Sequence, residues 1–275
     1  MFLTSLLQSK NKKRAQSFII GFEDLGIEDI PLVGGKNAAL GEMYSQLAPL
    51  GIRIPGGFAV TAHAYWYFLE KANLKQKIAE LLEDLNPHNI ANLQERGAAV
   101  REVILAADLP EDLRAEIKKA YKKLGSFDVA VRSSATAEDL PGASFAGQQE
   151  TYLNVKGQEE LLLSIKKAFA SLFTDRAISY REDKGFSHLD IALSVGVQKM
   201  VRADKASSGV LFTLDTETGF DKVVVINSSY GLGETIVQGK VTPDEFVVFK
   251  PSLKEGYQAI LEKSLGRKTH KVVYG

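Results

Sequence analysis

The periodicity of apolar residues changes once along the chain, near residue 190, and this limits the fold to one that joins a helical part to a stranded part. Before the change, Leu161, Leu162, Ile165, Ala168, Phe169, Leu172 and Phe173 recur at three- and four-residue steps, predicting an amphipathic helix that ends near Gly185. A longer helical block covers 75–124, broken at Pro87 and at Leu109-Pro110. Its last helix has Pro110 in the first turn, Glu111 and Asp112 at the positive end of the dipole, four lysines at the other end and Gly125 as its stop. Thr61 is the expected N-cap of an aromatic helix over 62–72. After the change, residues 191–201, 209–214, 223–227, 246–249 and 259–261 read as short strands between turns carrying glycine, proline or asparagine. The expected class is therefore α+β: a basic tail over 1–17, a helix-rich lobe over 18–190 and a strand-rich lobe over 191–275.

Charge and composition exclude several functions. Lys plus Arg and Asp plus Glu are both 34, so no bulk field holds nucleic acid or an anionic membrane, and any polyanion must be met locally. Hydrophobic residues at 45% and charged residues at 25% are those of a folding globular chain. The absence of cysteine removes disulfides, thiolate metal sites and cysteine nucleophiles, and is compatible with a cytoplasmic location. The positive cluster Lys10, Lys12, Lys13 and Arg14 follows the short apolar start instead of preceding it, the wrong order for a secretory signal. No apolar run approaches the ~20 residues of a membrane span. His63, His88, His188 and His270 lie outside any partnered motif and read as surface or core residues.

Four segments carry residues that core packing does not explain. In Gly34-Gly35-Lys36-Asn37, glycines let backbone N–H groups approach an anion and a lysine at a helix start can meet a phosphate; the alternative is a glycine turn with a surface lysine. A strand over 128–132 ends in Arg132, followed by Ser133, Ser134 and Thr136 and then by the glycine-bracketed stretch 142–147. A guanidinium fork and hydroxyls suit a phosphate with a loop folding over it; the alternative is a surface loop with Arg132 paired to a carboxylate. Gln198 and Met200 offer an amide and an apolar side chain to a base, or are simply parts of a buried strand. Glu234, after Gly231-Leu232-Gly233, can face ribose or a metal, or open a short helix.

Taken together and in this order, Gly34-Gly35-Lys36-Asn37-Ala38, Arg132-Ser133-Ser134-Ala135-Thr136-Ala137-Glu138-Asp139, Phe145-Ala146-Gly147-Gln148-Gln149-Glu150, Gln198-Lys199-Met200-Val201 and Gly231-Leu232-Gly233-Glu234 resemble the nucleotide-binding ATP-grasp region of the phosphoenolpyruvate synthase (pyruvate, water dikinase) family. The resemblance runs over about 18–275. It implies an ATP-grasp fold with the nucleotide cleft between the two lobes, and Mg2+ with ATP. It further implies that Lys36 and Arg132, with Ser133 beside them, hold the phosphates, that Gly142, Ala143, Ser144 and Gly147 belong to a lid over 142–147 with Gln148 a further nucleotide-binding residue just after it, that Gln198 and Met200 meet adenine, and that Glu234 lines the site. No metal ligand is assigned. The family's later metal-binding Glu and its Gln followed by Ala-Arg-Pro have no counterpart after Tyr257, so the strand-rich lobe is expected to be incomplete. The family's swivelling domain with its phosphate-accepting histidine, and its pyruvate-binding barrel, are likewise expected outside this chain, which alone would bind ATP without turnover. Two other readings use the same front end: a phosphotransferase with another acceptor, as in rifamycin phosphotransferases, and a non-catalytic nucleotide-binding module.

Overall fold

The computed structural model describes residues 14–136, 139–140, 143–144 and 150–274. Contacts divide the chain into two units, Met1–Met200 and Val201–Gly275. The strands of the first are β1 (Ile19–Gly21), β2 (Gly57–Val60), β3 (Val129–Ala135), β4 (Asp139–Leu140), β5 (Ala143–Ser144), β6 (Thr151–Val155) and β7 (Leu193–Lys199). Its helices are α1 (Ile30–Leu47), α2 (Ala62–Lys71), α3 (Leu74–Leu82), α4 (Ile90–Ala106), α5 (Glu111–Leu124), α6 (Gly157–Ala170) and α7 (Asp175–Lys184).

Local chemistry explains where these helices start and stop. Thr61 Oγ1 accepts from Ala64 N at 3.2 Å, as expected for the N-cap of α2, and Asn89 and Thr174 cap α4 and α7 in the same way. Gly125 and Gly185 end α5 and α7 with φ of 104° and 69°, the left-handed region that favours glycine. Pro110 sits one position earlier than expected, as the N-cap of α5. The single helix read over the stretch to Gly185 is two: α6 runs into a 3-10 turn, Ser171–Phe173, and Thr174 turns extended to begin α7. Apolar spacing is continuous through the break because the side chains on both sides still pack into one core.

Five strands form an antiparallel sheet in the order β1-β2-β7-β3-β6, while β4 and β5 make a separate two-stranded ladder. Helices α2, α5 and α6 pack on one face of the larger sheet with α3, α4 and α7 against the other helices, and α1 lies against the opposite face, packed through Ile20, Phe22, Leu25, Val33, Ala38 and Ala59. Membership of β7 in this sheet puts the division between units after Met200, ten residues beyond the change in periodicity. A strand buried between two others in the first unit has the same apolar content as the strands that follow it. Arg14, read as part of the tail, instead ties down the start of α1: its guanidinium meets the buried Asp29 at 2.5 and 3.2 Å.

The second unit contains β8 (Ser207–Phe212), β9 (Val223–Tyr230), β10 (Asp244–Phe249) and β11 (Ile260–Ser264), all antiparallel in the order β11-β10-β9-β8, with two short helices, α8 (Glu234–Val237) and α9 (Lys250–Lys254). No helix among the described residues is long and apolar enough to cross a membrane.

Candidate functional site

Alternation along two central strands makes the site. In β3, Val129, Val131 and Ala135 enter the helical core, so Ala130, Arg132 and Ser134 point to the α1 side. In β7, Val195 and Val197 enter the core, leaving Ser194, Gly196 and Gln198 on the α1 side. The register sets Arg132 opposite Gly196 and Ala130 opposite Gln198, with Thr151 of β6 beside Arg132. Arg132, Gly196, Gln198, Ala130 and Thr151, together with Asn37 of α1, line a cavity of about 160 Å3. A pocket for a whole small molecule runs to ~300–1,000 Å3, so this one has room for part of a nucleotide.

The lid over this sheet face is a helix start. Within Ile30–Leu47, Gly34 has φ 72° and ψ 164°, a conformation open essentially to glycine, and the helix restarts after it. Gly34 also presses on β3: a Cβ there would overlap Ser134 Oγ and come to 2.5 Å from Ser134 O and 2.7 Å from Ala135 O. The restart turns the N–H groups of a new helix end, and its partial positive charge, toward the sheet. Asn37 N takes up one of these interactions, donating to Ser134 Oγ at 3.4 Å.

The predicted residues divide as follows. Arg132 and Gln198 line one cavity, and Gln198 Nε2 donates to Pro55 O at 3.1 Å. Lys36 is half-buried in the helix-start turn, immediately before Asn37, and is not among the residues that line this cavity. Met200, half-buried beyond β7, is held by its N–H to Asp128 O at 2.9 Å. Ser133 lies on the other face of β3 from Arg132, and both its N–H and its hydroxyl donate to Glu150 O, at 3.3 and 3.2 Å. The structure therefore puts Ser134, not Ser133, on the Arg132 side. Ala143 and Ser144 pair with Leu140 and Asp139 in the β4–β5 ladder, and Gly142, Gly147 and Gln148 lie outside the described residues.

Glu234 belongs to the second unit, where it is exposed at the first position of α8. The loop before it is held by Ser208 Oγ donating to Gly231 O at 2.7 Å and by Leu232 N donating to Val272 O at 2.9 Å. Beside that loop a hollow of about 710 Å3 is lined by Lys205, Ser207, Tyr230 and Lys271 among others. Among the described residues, no three His, Asp or Glu side chains gather as a metal cage would require. The reading from sequence named Asn37 only as part of the glycine-lysine motif and Ser134 only as one of three hydroxyls, and gave Gly196 no role; the two-residue alternation of Val129–Ala135 and Leu193–Lys199 was the signal that places the last two on the Arg132 side.

A guanidinium and a helix N-terminus gathered at one cavity are donor types that phosphate-binding domains use. The AMP/ATP-binding domain of pyruvate phosphate dikinase matches residues 30–275. The chain is 59% identical over 268 residues to the phosphoenolpyruvate synthase of Aquifex aeolicus, covering 95% of this chain and 31% of that protein. It is 56% identical over 263 residues to that of Helicobacter pylori (94% and 32%) and 49% over 260 residues to that of Escherichia coli K12 (93% and 33%). The chain belongs to the pyruvate phosphate dikinase AMP/ATP-binding family. It spans about a third of the length of the curated relatives it matches.

Proposed function

We propose that the chain is the ATP-binding part of a phosphoenolpyruvate synthase of ATP-grasp type. In that reaction ATP, pyruvate and water become phosphoenolpyruvate, AMP and phosphate, by way of a histidine, outside this chain, that is first pyrophosphorylated and then phosphorylated. The part described here binds ATP and aims its terminal phosphates, so its contribution is positioning and charge neutralisation. The supporting observation is the register that gathers Arg132, Gly196 and Gln198 around one cavity, under the helix start that carries Lys36 and brings Asn37 to the same cavity.

In this reading Arg132 supplies a bidentate fork to phosphate oxygens, Lys36 a point charge, and the N–H groups at the restart of α1 further donors. Gln198 and Met200 serve the base, Glu234 the ribose or metal, and the segment 142–147 the phosphates. Magnesium fits this set as an ion that keeps several waters and is held by substrate phosphates with one or two carboxylates, so it needs no all-protein cage. When bound, it neutralises phosphate charge. Pyruvate and the histidine-bearing domain are partners through the rest of a longer enzyme, and the absence of cysteine agrees with a cytoplasmic setting. The names of the relatives favour the synthase over a phosphotransferase with another acceptor.

Calorimetry with ATP and with adenosine tests the assignment. Arg132→Lys keeps the charge and loses the fork, so ATP binding is expected to weaken by about 1–3 kcal/mol while adenosine binding barely changes. Equal losses for the two ligands, with an unchanged melting temperature, would refute the phosphate role.

A further inference from the structure

Asn37 is fully buried at the point where α1, β3 and β7 meet. Its N–H donates to Ser134 Oγ on β3, and its Nδ2 donates to Ser194 Oγ on β7 at 3.0 Å. Ser194 Oγ in turn donates to Val60 O at 2.7 Å. Since Ser194 spends its one proton on Val60, the atom facing its oxygen has to be a donor, and this fixes the amide with Nδ2 toward Ser194 and Oδ1 toward Gly196. Oδ1 is buried and has no hydrogen-bond partner among the described residues. It occupies the space a side chain at 196 would take: a Cβ there would overlap Oδ1 and lie 3.2 Å from Asn37 Cγ. Gly196 stands directly across the register from Arg132, and Lys36 is the residue before Asn37.

We propose that Asn37 is a positioning residue for the phosphate site, and that Gly196 is the space its amide requires. The inference rests on the ATP-binding reading above. One cation is carried by α1 and the other by β3, so both face the same phosphates only if the helix start keeps its place over the sheet. Contacts through Gly34 limit how closely α1 approaches β3, but the Asn37 amide ties the same turn to β7 as well. Two strands fix a position where one leaves a pivot. A displacement of about 1 Å at such a site costs on the order of a hundredfold in a positioned reaction.

The test uses the 275-residue chain and reads ATP affinity, adenosine affinity and melting temperature for Asn37→Ala, Ser194→Ala and Gly196→Ala. Each is expected to raise the Kd for ATP about tenfold, as for one buried hydrogen bond, while adenosine affinity stays nearly constant. Gly196→Ala in the Asn37→Ala background is expected to add almost nothing, because the amide it would strike is gone. A residue that merely holds the fold would lower the melting temperature and weaken both ligands alike. That result, unchanged ATP affinity in a folded variant, or additive effects in the double variant would overturn the proposal. If Asn37→Ala does not fold, Ser194→Ala decides, since it leaves Asn37 in place without its acceptor. Failure of the unaltered chain to bind ATP would instead overturn the ATP-binding reading and this inference with it.

Discussion

Arg181 carries its charge into the core of the first unit: it is 1% exposed, its Nε donates to His188 Nδ1 at 2.9 Å, and its guanidinium stacks 5.4 Å from the centre of Phe173. Burial pushes its pKa down to about 10, partly opposed by Tyr65 and Glu182. His188 can accept that bond only while Nδ1 is unprotonated, and burial together with the Arg181 charge lowers its pKa below the ordinary 6.5, with Glu182 opposing. As pH falls below 6.5 the unfolded chain therefore takes up this proton before the folded one does. Stability held by His188 should be complete well above that value and be lost as pH falls toward the lowered pKa. Urea unfolding at pH 7.5 and at pH 5.5 should show the wild-type chain losing more stability over this interval than His188→Gln, which still offers Arg181 an acceptor; equal losses would place the pH dependence elsewhere. The sequence left His188 as a surface or core residue and put Ser133 beside Arg132, because neither the degree of burial nor the face of a strand is written in a single residue.

At the scale of elements, Gly34 is the position on which the candidate site turns. Its φ of 72° separates a short first stretch of α1 from the restart that faces the sheet, and its missing side chain lets that turn touch β3. Gly34→Ala meets both obstacles, a strained backbone and an overlap with Ser134. Strain of this kind costs about 1–3 kcal/mol before the overlap is counted. The expected result is a clear fall in the urea midpoint together with a loss of ATP affinity, and a variant as stable and as tight as the wild type would show that α1 has no fixed place over β3. Helix ends were largely legible in sequence, since Thr61, Gly125 and Gly185 act within one turn of themselves. The break at Thr174 was not, because the apolar stripe continues across it and the cap competes only locally.

For the whole molecule, the second unit differs from the first in how it treats its sheet. Register puts Leu211, Val224, Ile226, Phe246, Val248 and Ile260 on one face, and Phe212, Val225, Val247 and Phe249 on the other. Leu211, Phe212 and Ile260 are exposed, and both buried clusters of the described residues lie in the first unit. The proposed reading assigns the phosphate-accepting histidine to another part of a longer enzyme. Purified chain given ATP, magnesium and pyruvate is therefore expected to bind nucleotide and to form no phosphoenolpyruvate, by an assay for the product. Turnover would mean that these residues contain an acceptor the present reading does not recognise.

What the sequence by itself determined is what acts over short range or through composition: the α+β class, most helix ends, the absence of thiol chemistry, and the ordered motifs that identify a nucleotide-binding family. Only the tertiary structure decided which of those motif residues share a surface. Arg132 and Gln198 are 66 residues apart, and Asn37 lies farther still from either; one antiparallel register brings the first two to a single cavity and turns Ser133 away from it, and the packing of α1 on that face adds Asn37. The physical reason is that strand pairing is a long-range choice with a period of two, so one step of register exchanges the core face for the site face, whereas a cap or a glycine stop is settled among neighbours in the chain.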